Sequence, residues 1–291
     1  MDLLQSIIMG IVQGVAEFLP ISSSGHLAIM KHILKINTNT GLLFDVLLHL
    51  GTLIAIMIAF WKDIQELIVE GFKLLGDFFL NLGKLIKYCF TRKQVEFKNI
   101  VSTPYRRFVM LIIVSSIPTG IIGFTFNDAI EQMGETLLIP GLCLILTGVL
   151  LLIADNAANG KKTERTATYK DAGIVGLAQG FATLPGLSRS GTTITACLLM
   201  GFDKSFAVKY SFIMSIPAVL GAALKQAMDF TMDSVTQNEL LNYLIGTIVA
   251  GLVGYICIKT MLVIVRGKKF KFFAYYCFLI GLTAVIGYFV I

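Results

Sequence analysis

Two short stretches hold the residues whose types and spacing could do chemistry. The first carries Gln13, Glu17, the run Ser22-Ser23-Ser24-Gly25 and His26. The second carries Pro185-Gly186, then Ser188-Arg189-Ser190-Gly191 and Thr193. Gln13 and Glu17 are four residues apart and share one helix face. The first stretch therefore offers a carboxylate for a divalent metal or for proton transfer, a histidine, and a hydroxyl nucleophile candidate. The second has the make-up of an anion cradle. Pro and Gly set a turn, and a helix starting there exposes free backbone N–H groups at its positive end. Ser188, Ser190 and Thr193 add hydroxyl donors, and the Arg189 fork matches phosphate oxygens two at a time. A metal held by Glu17 and Gln13 beside a phosphate would be a hard cation, Mg²⁺ or Ca²⁺, rather than zinc.

The elements that must position these residues lie in a membrane. The chain has 291 residues, of which 56% are hydrophobic and 14% charged, with a mean hydropathy of +0.80. Soluble domains carry about 25% charged residues, so a soluble enzyme, a disordered chain and a nucleic-acid binder are excluded as classes. The apolar runs are continuous rather than alternating, which disfavours a membrane barrel. Runs of about 20 apolar residues predict six spanning helices at 42–61, 108–126, 137–155, 206–228, 241–265 and 272–291. Two further apolar segments, 3–30 and 172–200, are broken in the middle by Pro, Gly and Ser. Such a break is tolerated in hydrocarbon only where protein or a polar cavity satisfies the freed backbone, so both read as re-entrant helical hairpins. Residues 62–90 place Asp63, Glu66, Glu70, Lys73, Asp77, Asn81, Lys84 and Lys87 at three- and four-residue spacing, an amphipathic helix lying in the interface,.

The two chemical stretches are copies of one another. Gln13-Gly14-x-Ala16, a proline and Ser22-x-Ser24-Gly25 recur as Gln179-Gly180-x-Ala182, a proline and Ser188-x-Ser190-Gly191, at one constant offset except for the proline, which slips by one. Fifteen of the 24 Lys and Arg residues fall in loops 84–107, 161–170 and 266–271, which are therefore cytoplasmic, whereas 127–136 and 229–240 have acids but no Lys or Arg and face out,. The helices after the two copies then run in opposite directions. This is an inverted-topology repeat, repeat one about 1–155 and repeat two about 170–291, within a single integral membrane domain of residues 1–291. The tips should face each other near the bilayer midplane. Asp45 and His49 read as structural or supporting residues, His32 as interfacial, and Asp155 as a helix-end residue. The five cysteines read as packing residues without metal spacing,.

The stretch from Gln13 through Glu17 to Ser22-Ser23-Ser24-Gly25-His26, with Pro185-Gly-Leu-Ser-Arg-Ser-Gly-Thr-Thr193, closely resembles the two signatures of the bacterial undecaprenyl-diphosphate phosphatase family, known for bacitracin resistance. That pattern is Glu or Gln, three residues, Glu, then Ser-Gly-His, and later Pro-Gly-x-Ser-Arg-Ser-x-x-Thr. The resemblance implies hydrolysis of undecaprenyl diphosphate to undecaprenyl phosphate and inorganic phosphate, recycling the lipid carrier for cell-wall synthesis. It implies a multi-pass protein of the bacterial plasma membrane with its active site open to the outer face. Its partners are the lipid substrate, the bilayer and, as a candidate, a second copy in a homodimer; nucleic acid is not among them. Carried over by residue, Arg189 clamps the diphosphate with Ser188, Ser190, Thr193 and Ser24. Glu17 binds the divalent metal or directs a proton, Gln13 assists, and Ser23 or His26 is nucleophile or base, with direct water attack also open. Gln rather than Glu at position 13 counts against a scheme with two carboxylates there. The competing class is a flippase or secondary transporter of a polyprenyl phosphate, since broken helices in inverted repeats also serve transport.

Overall fold

The computed structural model describes residues 1–291 except 35, 37, 93, 135, 230–235, 268 and 291. Lys93 and Lys268 of the basic loops, and Glu135 and residues 230–235 of the two acidic loops, lie outside the described residues. Twelve helices follow in order among the described residues: α1 (Leu3–Phe18), α2 (Ser23–Ile33), α3 (Thr38–Ala59), α4 (Trp61–Thr91), α5 (Pro104–Thr125), α6 (Asn127–Gly134), α7 (Leu138–Asn156), α8 (Tyr169–Phe181), α9 (Arg189–Leu199), α10 (Lys204–Asp229), α11 (Gln237–Arg266) and α12 (Phe270–Val290). Five of these, α5, α7, α10, α11 and α12, are long and apolar enough to cross a membrane. The bent pair α3–α4, which turns through 89° at Phe60, supplies the sixth span. The six predicted spans are thus α3, α5, α7, α10, α11 and α12. The two broken segments are α1–α2 and α8–α9. The short helix α6 sits in what the sequence marks only as an outer loop.

Local chemistry explains the breaks. Pro20 disfavours helical backbone at the residue before it, and Leu19 is extended, ending α1 at Phe18. After α8, Gly186 takes φ +88, and an added Cβ there would lie 2.2 Å from the Pro140 carbonyl oxygen. The hairpins enter from opposite ends of the bundle. At the open end of α1–α2, the N-terminal ammonium pairs with Glu239 at the start of α11, 2.9 Å away. At the open end of α8–α9, Lys162 pairs with Asp171 at 2.9 Å, and its backbone bonds Gly201 and Asp203.

Packing follows an exchange rule. α1 lies on α11 and α8 on α5; α3 lies on α11 and α10 on α5; α7 pairs with α12. Close approach rests on small residues, as in membrane helix pairs generally. A Cβ on Gly10 would come within 2.4 Å of the Gly246 carbonyl oxygen of α11, and one on Gly176 within 2.2 Å of the Ser115 carbonyl oxygen of α5.

Helix α4 lies across the end of the bundle where the basic loops gather. Its apolar side, including Phe72, Phe79 and Ile86, is exposed. Its polar stripe is turned inward: Glu70 accepts from Arg106 Nε at 2.8 Å, and Asp77 accepts from Arg106 Nη1 at 2.7 Å and Lys98 Nζ at 2.6 Å. Bonds from Lys73 and Arg106 hold the Glu70 carboxyl below its ordinary range, and bonds from Lys98 and Arg106 do the same for Asp77. Asp155 has a defined task, accepting the Phe270 N–H at 2.8 Å to cap α12. Of the five cysteines, four are buried free thiols and Cys89 is exposed.

Candidate active site

The two hairpin tips meet at Glu17, which is 7% exposed in the last turn of α1. One carboxylate oxygen, Oε1, is held by Arg189 Nη2. The other, Oε2, accepts the Ser23 hydroxyl at 2.6 Å and the Gln13 amide N–H at 3.1 Å. His49 of α3 brings Nε2 to 3.9 Å from the same oxygen. The hairpins also touch directly, since the Gly186 N–H donates to Ser24 Oγ at 3.2 Å.

Both charges sit at the wrong ends of their helices. Glu17 lies at the C-terminal, negative end of α1, and Arg189 is the first residue of α9, at its positive end. Each placement is unfavourable by itself, and each is offset by the other charge. Glu17 thereby pairs its negative charge with the side chain that opens α9, a helix whose positive end attracts anions,.

The carboxylate opens on a cavity of about 270 Å³ with two kinds of wall. One is polar, made by Glu17, Ser22, Ser23, Ser24, His49 and Arg189. The other is apolar and small, made by Val46, Leu187, Ala218, Val219, Ala222 and Ala223. The contributing parts are the first half of α3 and the second half of α10. Both lie toward the bundle end that holds the N-terminus and the start of α11, opposite α4.

The sequence-derived candidates divide into three groups. Gln13, Glu17, Ser23, Ser24 and Arg189 come together as just described. Ser188, Ser190 and Thr193 are adjacent but buried, with their hydroxyls engaged. Ser188 Oγ accepts the Gly191 N–H at 3.0 Å as the α9 cap and meets Ser190 Oγ at 3.4 Å. Thr193 Oγ1 donates to the Arg189 carbonyl at 2.8 Å and meets Ser211 Oγ at 2.6 Å. His26 is turned away from the cavity toward Tyr276 of α12, whose hydroxyl is 2.9 Å from Nε2. His49 is the residue that sequence reasoning placed in a supporting role. Its signal was present: Asp45, His49 and Thr52 fall on one face of an otherwise apolar span,.

Among the described residues no group of three or more His, Cys, Asp or Glu could enclose a metal. One observation does favour a hard cation here. Gln13 is fully buried, and its Oε1 has no hydrogen-bond partner although its Nε2 reaches Glu17. An unpartnered buried acceptor is costly, and a hard oxygen beside a carboxylate is a donor type that Mg²⁺ and Ca²⁺ use.

Comparison with known proteins bears on this geometry. The model of the family described as bacitracin resistance protein BacA matches residues 6–283. The chain is 42% identical over 286 residues to the undecaprenyl-diphosphatase of Methanosphaera stadtmanae, covering 98% of each chain. It is 39% identical over 286 residues to that of Halothermothrix orenii, again covering 98% of each. It is 37% identical over 296 residues to that of Desulforapulum autotrophicum, covering both chains completely.

Proposed function

The chain belongs to the bacitracin resistance protein BacA family, the undecaprenyl-diphosphatases, and from that premise we propose how its site removes the terminal phosphate of undecaprenyl diphosphate. The chain is a multi-pass membrane enzyme of this activity. Its products are undecaprenyl phosphate, the lipid carrier of cell-wall synthesis, and inorganic phosphate. The observation that carries the mechanism is the shared carboxylate: the nucleophile candidate Ser23 and the Arg189 guanidinium converge on Glu17, the buried base candidate.

The headgroup enters the polar wall, and the first part of the isoprenoid lies along the Val46–Ala223 wall. Phosphate oxygens replace the Glu17 carboxylate on Arg189, beside the positive end of α9. Glu17, released from Arg189, takes the proton of Ser23. Ser23 Oγ attacks the terminal phosphorus, the bond from that phosphorus to the bridging oxygen breaks, and undecaprenyl phosphate departs. Water then attacks the phosphoserine. The P–Oγ bond breaks, Glu17 returns the proton to Ser23, and one proton of the water leaves to solvent. Phosphoryl transfer needs mostly positioning and charge stabilisation, and Arg189 with the α9 terminus supplies both. Glu17 and Gln13 would hold a divalent cation, which would add positive charge against the phosphates.

The cavity opens opposite the basic loops, and this supports access from the outer face. Ser188, Ser190 and Thr193 act by building the α9 start rather than by touching phosphate. The test is phosphate release from a polyprenyl diphosphate by purified protein in detergent, with and without chelator. Release that a chelator suppresses and the metal restores is the expected result. Acid quenching should trap phosphoserine at Ser23, and Ser23→Ala should abolish turnover. Undiminished activity in Ser23→Ala, with oxygen-18 from water in the first phosphate released and no phosphoenzyme, would overturn the serine mechanism.

A further inference from the structure

We infer that His26 is a positioning residue, not the base: together with Tyr276 it braces the strained turn that aims Ser23 at Glu17. The inference rests on the reading of Ser23 as nucleophile. It starts from the backbone. Ser22 has φ +71 and ψ 102, and among the described residues only Arg92 shares a positive φ without being glycine. A β carbon makes that conformation unfavourable, and it persists only when neighbours enforce it. Its effect is local and useful. The chain reverses within the Leu19–Ser22 linker, so that Ser23 becomes the first residue of α2 and its hydroxyl points back to the carboxylate of α1.

Three bonds enforce the turn, and two of them come from His26. The Gly25 N–H donates to Ser22 Oγ at 3.3 Å. The Ser22 carbonyl accepts the His26 backbone N–H at 3.3 Å and the ring Nδ1 at 2.8 Å. A carbonyl can only accept, so Nδ1 carries a proton. In the neutral ring Nε2 then holds the lone pair, and at 2.9 Å it accepts the Tyr276 hydroxyl. The two rings stack with centroids 5.6 Å apart and planes 9° apart. Both ring nitrogens are thus committed. A general base needs a lone pair within reach of the proton that it removes, and His26 has none to offer. It also lies outside the cavity that Ser22, Ser23 and Ser24 line. Tyr276 belongs to α12, far from α2 in sequence, so the last helix of the chain fixes the aim of Ser23.

Two substitutions separate positioning from proton transfer. Asparagine can place an N–H where Nδ1 sits but cannot take a proton at neutral pH. The assay is steady-state phosphate release by the full chain in detergent, with melting temperature as the folding control. His26→Ala should lower kcat by roughly 100-fold, the scale of a displaced reacting group, with KM changed less than about threefold. His26→Asn should recover at least tenfold of that loss, with the same pH profile as the native chain. Tyr276→Phe, which keeps the ring and loses the hydroxyl, should lower kcat by about fivefold. Ser22→Gly placed in the His26→Ala background should restore part of the activity, because glycine adopts the turn unaided. Equal inactivity of the Asn and Ala variants, with added imidazole rescuing the latter, would overturn the brace. Absence of phosphoserine in quenched native enzyme would instead strike the serine reading, and the Asn-to-Ala contrast is read independently of it.

Discussion

Glu17→Gln is the sharpest perturbation of the site, because it keeps the shape and removes the charge. The variant loses the acceptor that sits 2.6 Å from Ser23 Oγ. A positioned base contributes about 10²–10⁴-fold, which is roughly 2.7–5.4 kcal/mol at 1.36 kcal/mol per decade. The fold should lose less than the ~3–5 kcal/mol that breaking a fully buried ion pair costs, since the Arg189 side chain keeps 23% exposure. Arg189→Gln removes the other half, and the double variant closes a cycle. Groups that act as one unit are non-additive, so the double variant should fall short of the summed single losses by more than about 1 kcal/mol. The assay is kcat and kcat/KM for phosphate release from a polyprenyl diphosphate in detergent, with melting temperatures recorded in parallel. Additivity within about 0.5 kcal/mol, the scatter for independent sites, would refute the idea that the two tips form one catalytic unit. So would a Glu17→Gln enzyme within tenfold of the native rate.

The α4 anchor and the helix interfaces give two further tests. Glu70 and Asp77 are held below their ordinary values of 4.5 and 3.8, so their contribution is complete above those values and is lost as the pH falls through the lower folded ones. As the pH falls below those ordinary values, limited proteolysis between α4 and α5 should therefore accelerate, and Asp77→Asn should show the faster cleavage already at neutral pH; cleavage as slow in Asp77→Asn as in the native chain would contradict this. Gly176→Ala would set a β carbon 2.2 Å from a backbone oxygen of α5, an overpacking that costs about 1–3 kcal/mol. A melting temperature equal to or above the native one would show that α8 and α5 can part without penalty.

Much of this architecture was legible because its signals are covalently local. Apolar run length marked the spans, and Pro20 and Pro185-Gly186 marked the breaks. The duplicated Gln-Gly-x-Ala and Ser-x-Ser-Gly runs mark the two tips as a pair. Side-chain direction was not legible. His26 and Tyr276 meet across 250 positions, and nothing near His26 in the sequence indicates that its ring faces α12. Ser188 and Thr193 read as phosphate donors by residue type. Their hydroxyls are instead engaged in capping and packing α9, which depends on where the helix begins. His49 was visible as a polar residue in an apolar span, but its partner depends on the rotation of α3 about its axis. The stripe on α4 is periodic in the sequence, whereas its inward pairing involves Arg106 and Lys98, which lie beyond that helix.

The exchanged packing of α1 on α11 and α8 on α5 has a consequence for biogenesis. A ribosome that has released the first 160 residues has made Glu17 and Ser23 but neither the helix on which α1 rests nor the arginine that neutralises its carboxylate. The polar break of the first hairpin must therefore wait in the translocon or the bilayer, incompletely satisfied, until more than two hundred residues have emerged. Competence is gained late and all at once, so truncated chains should be cleared by quality-control proteases rather than persist as half-enzymes.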